Sequence, residues 1–326
     1  TRLSYVQGIE IKRLCPLPLL YILIPLYLIF TRILKKYDFV IESLSFTIPF
    51  FAPLIYGFSR TLAIIFHLAK EVFIVEAKTR FGLLGHFLGH LMMMIEEKIC
   101  PHVYRSAPKL TISYVTYHEL REKGYGNNIV VLQEGIDTSK YTPGSDRKFE
   151  KPTFIYVGRL VRYKGVQDLL RAFKIFLMKY PNAQLYIVGR GPYMSALKKL
   201  AHNLSIEKNV IFTGFVDEEE KIRLLRKAHL LIMPSWQEGW ATPVIEANAC
   251  GTPSIASDAK GVKETIREWV NGVTYKCGDY LDLAKKMLMF NELTKLSDKA
   301  RAFAENFDWK RQEERFIRMM RKLLIK

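Results

Sequence analysis

Residues 234–253 read PSWQEGWATPVIEANACGTP, which sets two glutamates, Glu238 and Glu246, around a Gly, a Thr and a Pro. Thr242 followed by Pro243 predicts a helix start with Thr242 as N-cap and Pro243 as first helical residue. A hydroxyl caps an orphan amide, and proline lacks the donor that this position would waste. The helix is expected to run through VIEANAC and stop at Gly251. Glu246 then falls in the first turn and Glu238 in the loop before it, so both carboxylates can face one cleft at the helix's positive end. Free amides there take anions, and acceptor-only carboxylates beside them take hydroxyls. A sugar nucleotide offers both. The same residues also fit a plainer reading, a solvent-facing Glu238 and a Glu246 that only matches the helix dipole.

Outward from this stretch the second half alternates strand and helix. Strands are expected at Thr153–Val157, Gln184–Val188, Asn209–Thr213, Leu230–Met233 and Pro253–Ala256. Helices are expected between them at Val166–Tyr180, Met194–Leu204, Glu218–Ala228 and Pro243–Cys250, the third opened by an Asp217/Glu220 capping box. Such alternation predicts a doubly wound parallel sheet. Two further helices, Ser297–Asn306 and Trp309–Lys326, close the chain in a basic amphipathic stretch.

In the first half, Tyr37–Glu42 and Thr61–Phe66 read as buried parallel strands, with KLTIS (Lys109–Ser113) and Asn128–Leu132 as two more and Val115–Lys123 as a helix ending at Gly124. His67 directly follows the second strand, where open α/β sheets place ligands, and Glu71 is positioned to orient its ring. A histidine satisfied by neighbouring backbone is an equally open reading. His86 and His90 stand one helical turn apart, as zinc ligands can, but their neighbours are apolar and no third ligand is near. Tyr141–Pro152, rich in charge with Pro and Gly, is the expected interdomain linker.

At 326 residues the chain has room for two domains with separate cores. The net charge of +17 would attract nucleotides, phospholipid surfaces or nucleic acid alike, and its basic excess lies mostly after Glu150. No zinc-finger spacing or aromatic-basic RNA signature accompanies it. Cys15, Cys100, Cys250 and Cys277 are far apart and form no metal-ligand pattern, which reads as reduced thiols of a cytoplasmic protein. The apolar run Leu14–Leu34 is broken by Pro16, Pro18, Pro25 and Arg32. Its uncharged part, Leu17–Phe30, is shorter than the about 20 residues of a spanning helix. A buried or interfacial helix is expected instead, with attachment to the inner face of a membrane open. Leu44–Phe58 and Leu83–Ile95 are further apolar segments.

Several strand ends carry residues suited to one ligand. Gly158, Arg159 and Lys164 follow the first strand of the second half; Gly189, Arg190 and Gly191 follow the second; Gly214 and Phe215 follow the third. Glycine lets a ligand approach the backbone, and Arg159 with Lys164 supplies positive charge for a diphosphate. Neither G-x-G-x-x-G nor the P-loop pattern is present, which disfavours a hydride-transfer enzyme or an NTPase.

Taken together, VGRL…KG, IVGRGP, FTGFV and PSWQEGWATPVIEANACGTPSIAS resemble the donor domain of retaining GT-B glycosyltransferases with the E-x7-E motif (group 1, family 4). The resemblance covers roughly Phe154–Gly272 and is weaker in the first half. It implies an α/β GT-B fold, two Rossmann-like doubly wound domains facing a cleft. The implied parts are an acceptor-side domain over 1–150, a nucleotide-sugar donor domain over 151–305 and a helix over 306–326 that returns to the first domain. The family's opening strand and glycine-rich loop have no counterpart before YVQGIEIKRL, so the N-terminal domain is expected to be incomplete.

Carried over residue by residue, the resemblance gives Arg159 and Lys164 the donor diphosphate, Glu246 the ribose and Glu238 the transferred sugar. Gly239 and the backbone amides of Trp240, Ala241 and Thr242 would lie against sugar or phosphate, and the base near Gly189, Arg190 and Phe215. His67 matches the acceptor-side histidine that contacts the donor sugar. Ala241 replaces a glycine common in the family. No metal and no cofactor is expected beyond the nucleotide-sugar substrate. The implied reaction moves that sugar to a glycan or lipid-linked acceptor, with no nucleic-acid partner. A nucleotide-sugar-binding protein without turnover, or a GT-B epimerase or phosphorylase, are the alternatives.

Overall fold

The computed structural model describes residues 2–6, 9–13, 17–34, 37–44, 49–68, 82–83, 85–87 and 89–324. Cys15 and Glu71 lie outside these, as do residues 14–16 of the Leu14–Leu34 run, 45–48 of Leu44–Phe58, 84 and 88 of Leu83–Ile95, and 325–326 of the expected last helix. The chain forms two compact units, residues 1–132 with 318–326, and residues 133–317. The segment 141–152 lies inside the second unit, where Lys148 Nζ donates to the Ala228 carbonyl at 2.6 Å and to Thr252 Oγ1 at 2.9 Å.

The first unit holds an antiparallel hairpin, β1 (Arg2–Val6) and β2 (Ile9–Arg13), and helix α1 (Leu17–Ile33). Its parallel sheet runs in chain order through β3 (Val40–Leu44), β4 (Thr61–Ile65), β5 (Lys109–Thr111) and β6 (Ile129–Val131). The expected strand at Tyr37–Glu42 therefore begins three residues late. Glu42, mid-strand and buried, accepts from the Phe50 and Ala52 amides at 2.6 and 3.0 Å and from Tyr104 Oη at 2.8 Å. Three donors offset part of the cost of burying that carboxylate, and burial still holds its pKa above the ordinary value. Helix α2 (Tyr114–Glu122) starts one residue before the expected position because Ser113 leaves the strand and caps it, accepting from the Thr116 amide. Among the described residues no helix is long and apolar enough to cross a membrane.

The second unit carries a six-stranded parallel sheet: β7 (Thr153–Val157), β8 (Gln184–Val188), β9 (Val210–Gly214), β10 (Leu230–Met233), β11 (Ser254–Ser257) and β12 (Gly272–Tyr275). Its order is β12-β11-β10-β7-β8-β9. The chain fills one side of β7, returns, and fills the other, so the order reverses between β7 and β10. Crossovers α3 (Val166–Lys179), α4 (Met194–Asn203), α5 (Glu218–Lys227) and α6 (Thr242–Ala249) cover the faces. Helix α3 shows why: Val166, Leu169, Leu170, Phe173 and Phe176 recur at helical spacing and are fully buried. The Phe176 ring meets Phe154 of β7 edge-on, with centroids 4.8 Å apart. Burial of each such side chain is worth about 1.5–3 kcal/mol.

The sixth strand and the helix after it, Tyr280–Leu288 capped by Asp279, are additions to the expected pattern. The Asp217/Glu220 capping box is half formed. Asp217 accepts from the Glu220 amide at 2.8 Å, while the Glu220 carboxylate pairs with Arg223 at 2.6 Å.

One half-buried histidine ties this sheet to pH. His229 Nδ1 accepts from the Thr153 amide at 3.2 Å, and burial, aided by the nearby Lys148 ammonium, pushes its pKa from 6.5 down to about 4. A depressed folded pKa gives stability that is complete above 6.5 and lost as pH falls towards 4. The second unit should therefore unfold about 2 kcal/mol more easily at pH 5 than at pH 7.5 from this group. Urea titrations at the two pH values check this, and His229→Gln should remove that part of the difference.

Candidate functional site

The strand order reverses between β7 and β10, and the space beyond the carboxyl ends at such a reversal is the usual ligand position in open α/β sheets. Two loops border it. The first runs from Gly158 through a short 3-10 turn, Arg162–Lys164, to Gly165. The second is 234–241, carrying Glu238. They are joined at three points: the Trp236 amide donates to the Tyr163 carbonyl at 2.8 Å, Gly165 packs on the Pro234 carbonyl, and Lys164 Nζ forms an ion pair with Glu238 Oε1. The Lys164 and Glu238 side chains are each only 12% exposed, so little water screens the pair. Gly165 sits at φ +69° and a Cβ there would strike Pro234, so only glycine closes this junction without strain.

Glycines continue along the strand ends. The Gly158 amide donates to the Val188 carbonyl at 3.0 Å and the Gly189 amide to the Gly214 carbonyl at 2.8 Å, which extends the ladder past the strands. Gly189, at φ +135°, rests against the Gly158 carbonyl with no room for a side chain. The outcome is a rim of bare backbone. Beside it Arg190 lies 4.9 Å over the ring of Phe215, both exposed, and Arg159 donates to Tyr163 Oη at 2.8 Å.

The helix that follows Glu238 starts one residue earlier than the sequence predicts. Ala241 takes the N-cap position, Thr242 is the first helical residue and Pro243 the second. Thr242 Oγ1 is not a cap; it donates to Glu134 Oε2 at 2.5 Å. Glu246 accordingly falls just past the first turn. It is held by Lys221 Nζ and Tyr141 Oη, each 3.0 Å from Oε1, so the two carboxylates of the motif answer to separate cations. The Trp240 side chain is buried with its ring 5.5 Å from Phe307, and Ala241 is fully buried, which leaves their backbone as the part suited to ligand. Gly239 completes the loop, and Gly261 packs under the Glu238 carbonyl from the segment after β11.

His67 lies in the first unit, two residues beyond β4 and half-buried. The rings of His86 and His90 meet edge to face, centroids 4.6 Å apart. No cluster of three or more metal-ligating side chains occurs among the described residues. Cys100 and Cys250 are buried and Cys277 half-buried, all as free thiols.

Three partners escape sequence reading. Tyr141 and Lys221 grip Glu246, and Asp168, buried in the first turn of α3, accepts from Trp236 Nε1 at 2.9 Å and steadies the Glu238 loop. Lys221, three residues after Glu218 on the same helix face, had a local signal as an i,i+3 pair. Tyr141 and Asp168 reach their partners only through the tertiary fold.

A parallel sheet whose order reverses, with bare backbone at its strand ends, a paired lysine and glutamate and a second glutamate on the following helix, has the layout of a doubly wound α/β ligand-binding domain. Residues 138–307 match the family described as Glycosyl transferases group 1, which is more than half of the chain, and the chain belongs to that family. It is 28% identical over 207 residues to a GDP-mannose-dependent alpha-(1-6)-phosphatidylinositol monomannoside mannosyltransferase of Mycobacterium tuberculosis, covering 58% of this chain and 54% of that protein. The chain spans about half the length of the curated relatives it matches. In fold it resembles a sucrose-phosphate synthase from Thermosynechococcus elongatus, with a TM-score of 0.74 and 19% identity over 99% of this chain and 83% of that one. It also resembles an Anabaena protein solved with UDP and glucose, with a TM-score of 0.72 and 19% identity over 93% and 83%. The expected GT-B class of α/β fold, with two parallel sheets in two Rossmann-like units, holds.

Proposed function

We propose that the protein is a retaining, metal-independent glycosyltransferase that moves a sugar from a nucleotide-sugar donor to a glycan or lipid-linked acceptor. The observation that carries this reading is the Lys164–Glu238 pair at the reversal between β7 and β10, beside a rim of side-chain-free backbone. A donor diphosphate would be met by Lys164 and Arg159, whose fixed charge stabilises the leaving group. Glu238 would then face the transferred sugar, Glu246 the ribose, and Arg190 with Phe215 the base. The amides of Gly239, Trp240, Ala241 and Thr242 would contact sugar or phosphate. Retention would follow from front-face substitution, with a phosphate oxygen taking the acceptor's proton.

The named relatives support the donor class, since one is GDP-mannose-dependent and another is solved with UDP and glucose. The former's phosphatidylinositol monomannoside acceptor supports a lipid-linked one. Helix α1 fits work at the inner face of a membrane: Leu26, Ile29, Phe30 and Ile33 are all exposed at i, i+3, i+4, i+7 spacing, with Arg32 beside them.

A thermal-stability screen against UDP-, GDP- and ADP-sugars tests the reading. A donor at 100 times its Kd adds about 2.7 kcal/mol of stability, a shift of several degrees. One of the three should produce it, undiminished by EDTA. No shift with any of them, or a shift that requires a divalent cation, would overturn the assignment or its metal independence respectively. Co-sedimentation with anionic vesicles that weakens in Phe30→Ser would support the membrane face.

A further inference from the structure

The surroundings of Glu246 are more elaborate than a ribose-binding carboxylate needs. Tyr141 is 4% exposed, and its hydroxyl lies between Glu246 Oε1, at 3.0 Å, and Glu218 Oε1. A phenol has one hydrogen, so the two carboxylates share it. Lys221 Nζ is 3.0 Å from the same oxygen of Glu246, 3.1 Å from Glu218 Oε2 and 5.1 Å from the centre of the Tyr141 ring. Burial works against the Lys221 charge, but Glu246 and Glu218 outweigh it and hold its pKa above the ordinary value. Burial raises the Tyr141 pKa and the two carboxylates add to it, so the hydroxyl stays a donor.

The backbone reinforces this. One guanidinium, Arg301, donates to the Tyr141 carbonyl at 2.7 Å and to the Ala249 carbonyl, at the end of the helix bearing Glu246, at 2.9 Å. The segment with Tyr141 and the helix with Glu246 thus share an anchor. Both grips close on Oε1. No hydrogen bond or ion pair to Oε2 occurs among the described residues.

We propose that Tyr141 and Lys221 are positioning residues for ribose recognition: by fixing Oε1 of Glu246 they present Oε2 to the vicinal 2′- and 3′-hydroxyls, and so set a preference for ribonucleotides over 2′-deoxyribonucleotides. This rests on the proposed role of Glu246. A carboxylate free to rotate can follow whichever hydroxyl remains, whereas a fixed one loses a charge-assisted hydrogen bond when the 2′-hydroxyl is absent. Such a bond corresponds to roughly a tenfold or larger ratio of affinities.

The test is calorimetric binding of UDP, GDP and ADP and of their 2′-deoxy counterparts. The wild-type chain is expected to favour the ribose form of its preferred base by about tenfold or more. Tyr141→Phe and Lys221→Met should bring that ratio within about threefold, and Lys221→Arg should restore most of it. Tyr141→Phe keeps the buried ring, so its fold is preserved. If both variants keep the full ratio while Glu246→Ala loses it, the positioning role is wrong and the ribose role of Glu246 stands. If Glu246→Ala also keeps the ratio, the ribose assignment fails and the inference with it.

Discussion

Replacing Glu238 by Gln is expected to lower sugar transfer by 10²–10³-fold and, in the same protein, to tighten binding of the free nucleoside diphosphate by about fivefold. The first effect follows if the carboxylate acts on the transferred sugar as positive charge develops there, since loss of one such electrostatic contact costs this much. The second follows from the ion pair. Lys164 is paired with Glu238, and both side chains are largely shielded from water. A diphosphate must draw the ammonium away from one anion and approach another. Glutamine removes the competitor and the repulsion together, and about 1 kcal/mol of relief corresponds to fivefold. Steady-state kinetics beside calorimetry with the diphosphate separate the two quantities. Wild-type turnover in the variant would remove Glu238 from the reacting centre; weaker diphosphate binding would mean that the pair organises the site rather than occupying it.

The second large effect is expected at Gly165. Alanine there must hold φ near +69°, which costs about 1–2 kcal/mol, and its Cβ meets the Pro234 carbonyl, which has no flexible atom to move aside. A total loss of about 3 kcal/mol is expected, equivalent to a fall in Tm of roughly 6–12 °C for a unit of this size. Because Gly165 directly follows Lys164, whose side chain pairs with Glu238, donor affinity should fall as well. Differential scanning fluorimetry with and without donor reads both. A variant melting within about 2 °C of the wild type would show that the two loops are not held by this contact.

The second half of the fold is legible because its central strands, such as Thr153–Val157 and Leu230–Met233, are short apolar runs buried on both faces, and helices such as Val166–Lys179 show one apolar stripe. Thr153–Val157, Gln184–Val188 and Leu230–Met233 fall on the expected residues. Gly272–Tyr275 carries no comparable signal, since four residues opening on glycine read as a turn until the neighbouring strand is in place. The helix start at Thr242 differs from the sequence expectation for a long-range reason: the hydroxyl that would cap the helix is taken by Glu134, more than a hundred residues earlier in the chain. The site shows the same division. Lys164 and Glu238 stand at strand ends and could be named from the sequence, although not their pairing. Tyr141 lies in a charged stretch that looks like a linker, and nothing nearby in sequence says that its hydroxyl is buried against Glu246.

The junction of the two loops also bears on how donor choice could be transplanted. Lys164, Gly165, Tyr163 and Asp168 on one segment meet Glu238, Pro234 and Trp236 on the other through an ion pair, a backbone contact and two hydrogen bonds. Exchanging either segment alone with that of a relative would break several matched contacts at once. Residues 158–168 and 234–242 therefore form a single heritable cassette, and chimeras that move them together should retain a folded site where half-exchanges do not.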